Sequence, residues 1–158
     1  MSKKIILFSV FVLFTLVSFG VKQPVSYALQ NSSHDTVKLR ELGVNLFAPD
    51  TQPKISENQA IAIAKGVARS QADTAKSVVA EYWNVTNGSF KGFSPQALTK
   101  NPKLKDNVNN AVPTWIISFE GLTIHKRGPD SSQSAPHTEL VVFVDASSGE
   151  PLGVLSYR

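Results

Sequence analysis

The residues of this chain best suited to bind a metal or move a proton are three histidines, His34, His125 and His137, and no two are spaced as a ligand pair. No His-Glu-x-x-His run occurs. His125 and His137 flank one loop and can meet across a hairpin, but two such imidazoles read as ordinary surface histidines, so no metal and no cofactor is expected. A serine nucleophile needs a base and a strained turn of the Gly-x-Ser-x-Gly type, which is absent. Ser147-Ser148-Gly149 reads instead as a hairpin turn. Asp145 and Glu150 flank it, and their carboxylates read as turn hydrogen-bonding and solvated groups rather than an acid–base pair. A calcium loop would need more acids at alternate positions than Asp145, Ser147 and Gly149 provide. No glycine loop of the phosphate-binding kind is present. The expectation is therefore a protein that is not an enzyme, with no catalytic and no metal-binding residue to nominate and its binding residues unknown.

Composition narrows the classes further. The 158 residues suffice for one domain, and a hydrophobic content of 42% allows a core. No cysteine is present, which excludes disulfides, thiol catalysis and cysteine metal sites. The net charge of +4 includes Lys3, Lys4 and Lys22. Without residues 1–28 the 16 basic residues fall to 13 against 12 acidic ones, so the charge is about +1 and no basic stripe for nucleic acid is expected.

The first 28 residues have the three parts of a secretory signal. Lys3 and Lys4 are followed by an apolar run, Ile5 to Val17, broken only by Ser9 and Thr15. Ser26-Tyr27-Ala28 then places small residues at the −3 and −1 positions of a cleavage site. Residues 1–28 are read as a signal peptide, with an uncleaved anchor as the alternative. Both place the remainder outside the cytoplasm, secreted or in the cell envelope, and cleavage leaves no membrane span.

The elements that would position any site follow from periodicity. Residues 29–54 form a lead-in in which Leu39, Leu42 and Leu46 suit a short amphipathic turn before Pro49 and Pro53. Ser56 and Gln59 form a capping-box pattern at the head of a helix carrying Ala60, Ile63, Ala64 and Val67, whose alanines suit close packing on a sheet. Residues 77–86 read as a strand, and 114–120 as a second that continues past a bulge at Gly121 to Leu122 and Ile124. Residues 127–136 read as a loop. Residues 138–145 and 152–157 read as a third and a fourth strand, joined through Gly149. Short links imply antiparallel pairing. The fold class expected is α+β, one N-terminal helix packed on a four-stranded antiparallel sheet.

Two stretches stand out as candidate surfaces. The insertion at 88–112 carries Lys91, Lys100, Lys103 and Lys105 against Asp106, with Phe90 and Phe93 nearby and a short helix near Pro95 to Thr99. It reads as a solvated loop pinned by its phenylalanines, the alternative being contact with an anionic polymer or an acidic partner. The last two strands are apolar on both faces, yet one helix covers only one face. Residues 29–54 or the insertion are expected to cover the other, the alternative being an interface.

Three segments resemble the PepSY domain family, a module of the propeptides of secreted bacterial peptidases and of envelope proteins. These are Ile55-Ser56-Glu57-Asn58-Gln59-Ala60-Ile61-Ala62-Ile63-Ala64, Pro113-Thr114-Trp115-Ile116-Ile117-Ser118-Phe119, and Val142-Phe143-Val144-Asp145-Ala146-Ser147-Ser148-Gly149-Glu150. The last has Ser148 where the family usually has threonine. The likeness covers roughly residues 55–86 and 112–157; the insertion and the 127–137 loop are long for the family, and no peptidase domain is expected downstream. The resemblance implies a PepSY-like, cystatin-like domain over 55–158 and brings no catalytic residues. It implies an exported, non-catalytic binding module of the bacterial cell envelope, with a protein partner such as a secreted peptidase, which it would bind or inhibit. The alternative is a sensory or ligand-binding envelope protein recognising a wall polymer, a small molecule or a membrane partner. In a bacterial protein the N-glycosylation patterns at Asn31, Asn84 and Asn87 are chance matches. The oligomeric state is left open.

Overall fold

The computed structural model describes residues 32–88, 95–100, 102–125 and 135–157, with the backbone alone at 95, 97, 98, 103–105 and 109. The leader, Phe90, Lys91, Phe93 and nearly all of the 127–136 loop lie outside these residues. The elements run α1 (Thr36–Glu41), β1 (Val44–Phe47), α2 (Glu57–Ala68), α3 (Ser70–Thr74), β2 (Ser77–Asn87), α4 (Pro95–Lys100), α5 (Pro102–Asn109), β3 (Val112–Ile124), β4 (His137–Asp145) and β5 (Pro151–Tyr157). The fold is α+β, a curled antiparallel sheet with few helices.

The sheet has five strands in the order β1-β2-β3-β4-β5. The expected four-stranded sheet is thus one strand short. The added strand is β1, only four residues long, and it pairs with the far end of β2, from Val44 opposite Asn87 to Phe47 opposite Asn84. Nothing local marks so short a strand, because its ladder is supplied by residues about 40 positions away. The single expected N-terminal helix likewise becomes α1 ahead of α2. The helix near Pro95 is present as α4 and is followed by α5, whose Asn107 is buried and donates from Nδ2 to the Val85 carbonyl at 3.0 Å.

The capping box at the head of α2 is formed. Gln59 N–H reaches Ser56 Oγ at 3.3 Å, and Ser56 N–H returns to Gln59 Oε1 at 2.8 Å. Such a box satisfies donors that would otherwise be orphaned in the first turn. Ala60, Ala64 and Ala68 face the sheet and are buried. Their short side chains let the helix approach Trp115, Ile117, Phe119, Val142 and Val144. Tyr82 and Trp115 meet there with ring centroids 5.4 Å apart, a tilted contact worth about 1 kcal/mol beyond burial. Just before α2, the N–H groups of Lys54 and Ile55 both donate to the Ala146 carbonyl, at 2.8 and 3.0 Å, and Trp115 Nε1–H donates to the Ile55 carbonyl at 3.1 Å.

The other face of the sheet is covered by the lead-in. Leu39 from α1 and Val44 from β1 are buried against Trp83, Val85, Ile116, Val141, Phe143, Leu152 and Tyr157. Leu42 and Leu46 add partial cover. The second apolar face is therefore closed from within the chain, as alternation on both faces requires. β3 continues through Gly121, which has φ +72°, and its register with β4 shifts between Glu120 and Ile124, the bulge that the glycine implied. No helix among the described residues is long and apolar enough to cross a membrane.

Candidate functional site

Strand periodicity aims four polar side chains at the face beneath the lead-in. They are Glu81 on β2, Ser118 on β3, Glu139 on β4 and Tyr157 on β5. Glu139 lies directly opposite both Tyr157 and Glu120 in the ladders. Two carboxylates facing each other across strands repel, and Glu139 is buried, so a donor must be delivered to it. The lead-in delivers His34, which is also buried. His34 Nδ1 lies 3.3 Å from Glu139 Oε1, 3.3 Å from Ser118 Oγ and 3.4 Å from the Tyr157 hydroxyl. Tyr157 donates to the same Glu139 oxygen at 3.4 Å.

The opposite ring nitrogen, Nε2, makes no hydrogen bond among the described residues and lies 3.8 Å from Glu81 Oε2. Glu81 gathers the start of the lead-in. Its Oε1 accepts from Ser33 N–H at 2.7 Å and from Ser33 Oγ at 2.5 Å. Its Oε2 accepts from Ser32 Oγ at 2.9 Å and from Trp83 Nε1–H at 2.8 Å. Burial alone would push the Glu81 carboxyl up, but the donors from Ser33, Trp83 and Ser32 outweigh it and hold the pKa below its ordinary value.

Serine, histidine and glutamate side by side invite comparison with a hydrolytic triad. The geometry differs in a decisive way. In a triad the two imidazole nitrogens serve different partners, the base nitrogen facing the nucleophile and the other the acid. Here Ser118 and Glu139 converge on the same Nδ1, and Ser118, His34 and Glu139 are all buried under the lead-in. The arrangement joins the lead-in to three strands of the sheet through one imidazole.

The other residues with chemistry in view are placed apart. His137 pairs across from Ile124 and its Nδ1 lies 2.9 Å from Ser156 Oγ, while His125 is exposed at the end of β3. No group of three or more potential metal ligands occurs among the described residues. Asp145 Oδ1 accepts the N–H groups of Ser147 and Ser148 at 2.7 and 2.9 Å, which is the turn role expected of it. Gly149, at φ +79°, closes that turn by donating to the Asp145 carbonyl. Asn84 and Asn87 are buried in β2 and unsuited to glycosylation in the folded state. Lys100 and Asp106 are exposed on α4 and α5.

One surface feature remains. β5 is the last strand of the sheet, and among the described residues it pairs only with β4, so no described strand lies along its outer backbone edge. Val154, in the middle of that strand, is 51% exposed.

Sequence reasoning missed the buried cluster. Alternation does place Glu81, Ser118 and Glu139 on one face, and a glutamate in step with Val141 and Phe143 was the available signal. His34 could not be assigned to them, because it reaches the sheet from a segment with no strand pattern.

Comparison of the chain with protein-family models, curated proteins and solved structures found no match.

Proposed function

We propose that this chain is an exported, non-catalytic binding module of the bacterial cell envelope, PepSY-like in kind, which binds or restrains a secreted peptidase. The observation that carries the reading is the outer edge of β5, along which no described strand lies, with Val154 exposed on it. An unpaired strand edge can take up an extended peptide by main-chain hydrogen bonding, and a peptidase presents or handles chain in that conformation. The leader pattern of residues 1–28 supports export. The helix followed by an antiparallel meander, with the capping box at Ser56 and the turn at Gly149, supports the PepSY-like assignment.

The test is a titration of residues 29–158 into a thermolysin-like zinc peptidase assay, with gel filtration to detect a complex. Saturable inhibition without cleavage of the added protein is expected. Val154→Glu should weaken it about tenfold, equivalent to about 1.4 kcal/mol. Neither inhibition nor a complex would remove this class of peptidase as the partner. Inhibition untouched by Val154→Glu would remove the β5 edge as the contact.

A further inference from the structure

The two faces of the sheet are closed by different chemistry. Beneath α2 the buried cluster runs from Ala60, Ala64 and Ala68 to Ile117, Phe119 and Val142, and its polar atoms are the neutral Tyr82 hydroxyl and Trp115 indole N–H. Lifting α2 would expose mainly hydrocarbon, with no ionisable side chain of that cluster to offset the cost. Beneath the lead-in, Leu39 and Val44 share the interface with His34, Glu81, Ser118 and Glu139. Lifting that segment returns an imidazole and two carboxylates to water, which offsets part of the apolar exposure.

We propose that residues 32–47 are a strap that opens as a unit while α2 and strands β2 to β5 stay folded, and that the Glu81 carboxylate is its clasp. At the start of the strap, the hydrogen bonds from Ser32 Oγ, Ser33 N–H and Ser33 Oγ all end on that one side chain. The strap's limit in the other direction is equally defined. Tyr82 donates to the Thr51 carbonyl at 2.9 Å, and Lys54 and Ile55 are held on the Ala146 carbonyl. The freely moving piece therefore ends before Thr51, next to Pro49. Besides the Glu81 and His34 contacts, a four-residue ladder, the Gly88 N–H bond to the Gly43 carbonyl and a six-residue helix must separate from the sheet. Opening uncovers Trp83, Ile116, Phe143 and Tyr157 on a face that keeps its own polar groups.

Native-state amide hydrogen exchange on the full chain tests this. Leu39, Leu42 and Gly43 have N–H groups bonded within the strap, to Asp35, Lys38 and Arg40 carbonyls. They should exchange together, about a hundredfold or more faster than β3 and β4 amides, because they need only the partial opening. Glu81→Gln should speed the strap amides about tenfold, the value of a charged hydrogen bond, and leave β3 and β4 unchanged. Ser33→Ala alters an exposed residue outside the sheet and should act in the same direction by a smaller factor, so the test survives if Glu81→Gln folds poorly. Strap amides exchanging at the rate of the β3 and β4 amides would overturn the proposal. So would Ser33→Ala variants in which both sets move equally or neither moves.

Discussion

Replacing His34 by leucine should destabilise the protein by about 3 kcal/mol, and replacing Glu139 by leucine as well should recover most of that loss. His34 Nδ1 stands 3.3 Å from Glu139 Oε1, and both side chains are at most 2% exposed. Leucine occupies much of the imidazole's volume but offers no donor. Glu139 would then sit in the interior opposite Glu120, with the Tyr157 hydroxyl and no imidazole beside it. A hydrogen bond to a charged group is worth about 1.5–3 kcal/mol, and leaving a buried carboxylate short of a donor costs about 3–5 kcal/mol. Some of that penalty is relieved because the strap can admit water, which places the expectation near the lower figure. With a urea dependence of about 2 kcal/mol per molar, the midpoint should fall by about 1.5 M. Glu139→Leu in the His34→Leu background removes the buried carboxylate and replaces it with packing, so the double variant should lie within about 1 kcal/mol of the wild type. Urea unfolding followed by far-ultraviolet circular dichroism at neutral pH measures the wild type, His34→Leu, Glu139→Leu and the double variant. A loss below about 0.5 kcal/mol for His34→Leu, the scale of a surface substitution, would refute the buried coupling. So would a double variant whose loss is the sum of the two single losses.

Three further outcomes follow from other parts of the fold. Ala64→Leu should cost about 1–3 kcal/mol in the same assay, because Ala64 is fully buried between α2 and the sheet, whereas Ala62→Leu on the exposed side of α2 should be near neutral; equal effects would deny the close approach. Gly149→Ala should destabilise by about 1–2 kcal/mol through its positive φ, and further because a Cβ there would lie 3.0 Å from Ile63 Cδ1; an unchanged midpoint would contradict that turn geometry. The Glu81 pKa is depressed in the folded protein, so its contribution is present above the ordinary carboxylate value and is lost as pH falls through the folded one. Stability should therefore drop on acidification below pH 4.5, the ordinary Glu value, with a shallower fall in Glu81→Gln, and identical acid profiles for the two proteins would exclude Glu81 as a contributor.

Periodicity and capping chemistry alone determined most of the frame. Ser56 and Gln59 announced α2, the alternation around Trp115 and Phe119 announced β3, and Gly149 announced the hairpin between β4 and β5. These signals are local, since each depends on residues within a turn or a strand of one another. The apolar residues on both faces of β4 and β5 also required a second cover, without saying which segment supplied it. Tertiary structure decided that the lead-in is the cover, that its Val44–Phe47 stretch becomes a fifth strand, and that His34 meets Glu139 and Ser118. Those contacts join residues about 40 to 105 positions apart, and their energy comes from burial and pairing that exist only once the sheet has formed. A histidine in a polar lead-in looks like a solvated side chain until the face it closes is present to withdraw it from water.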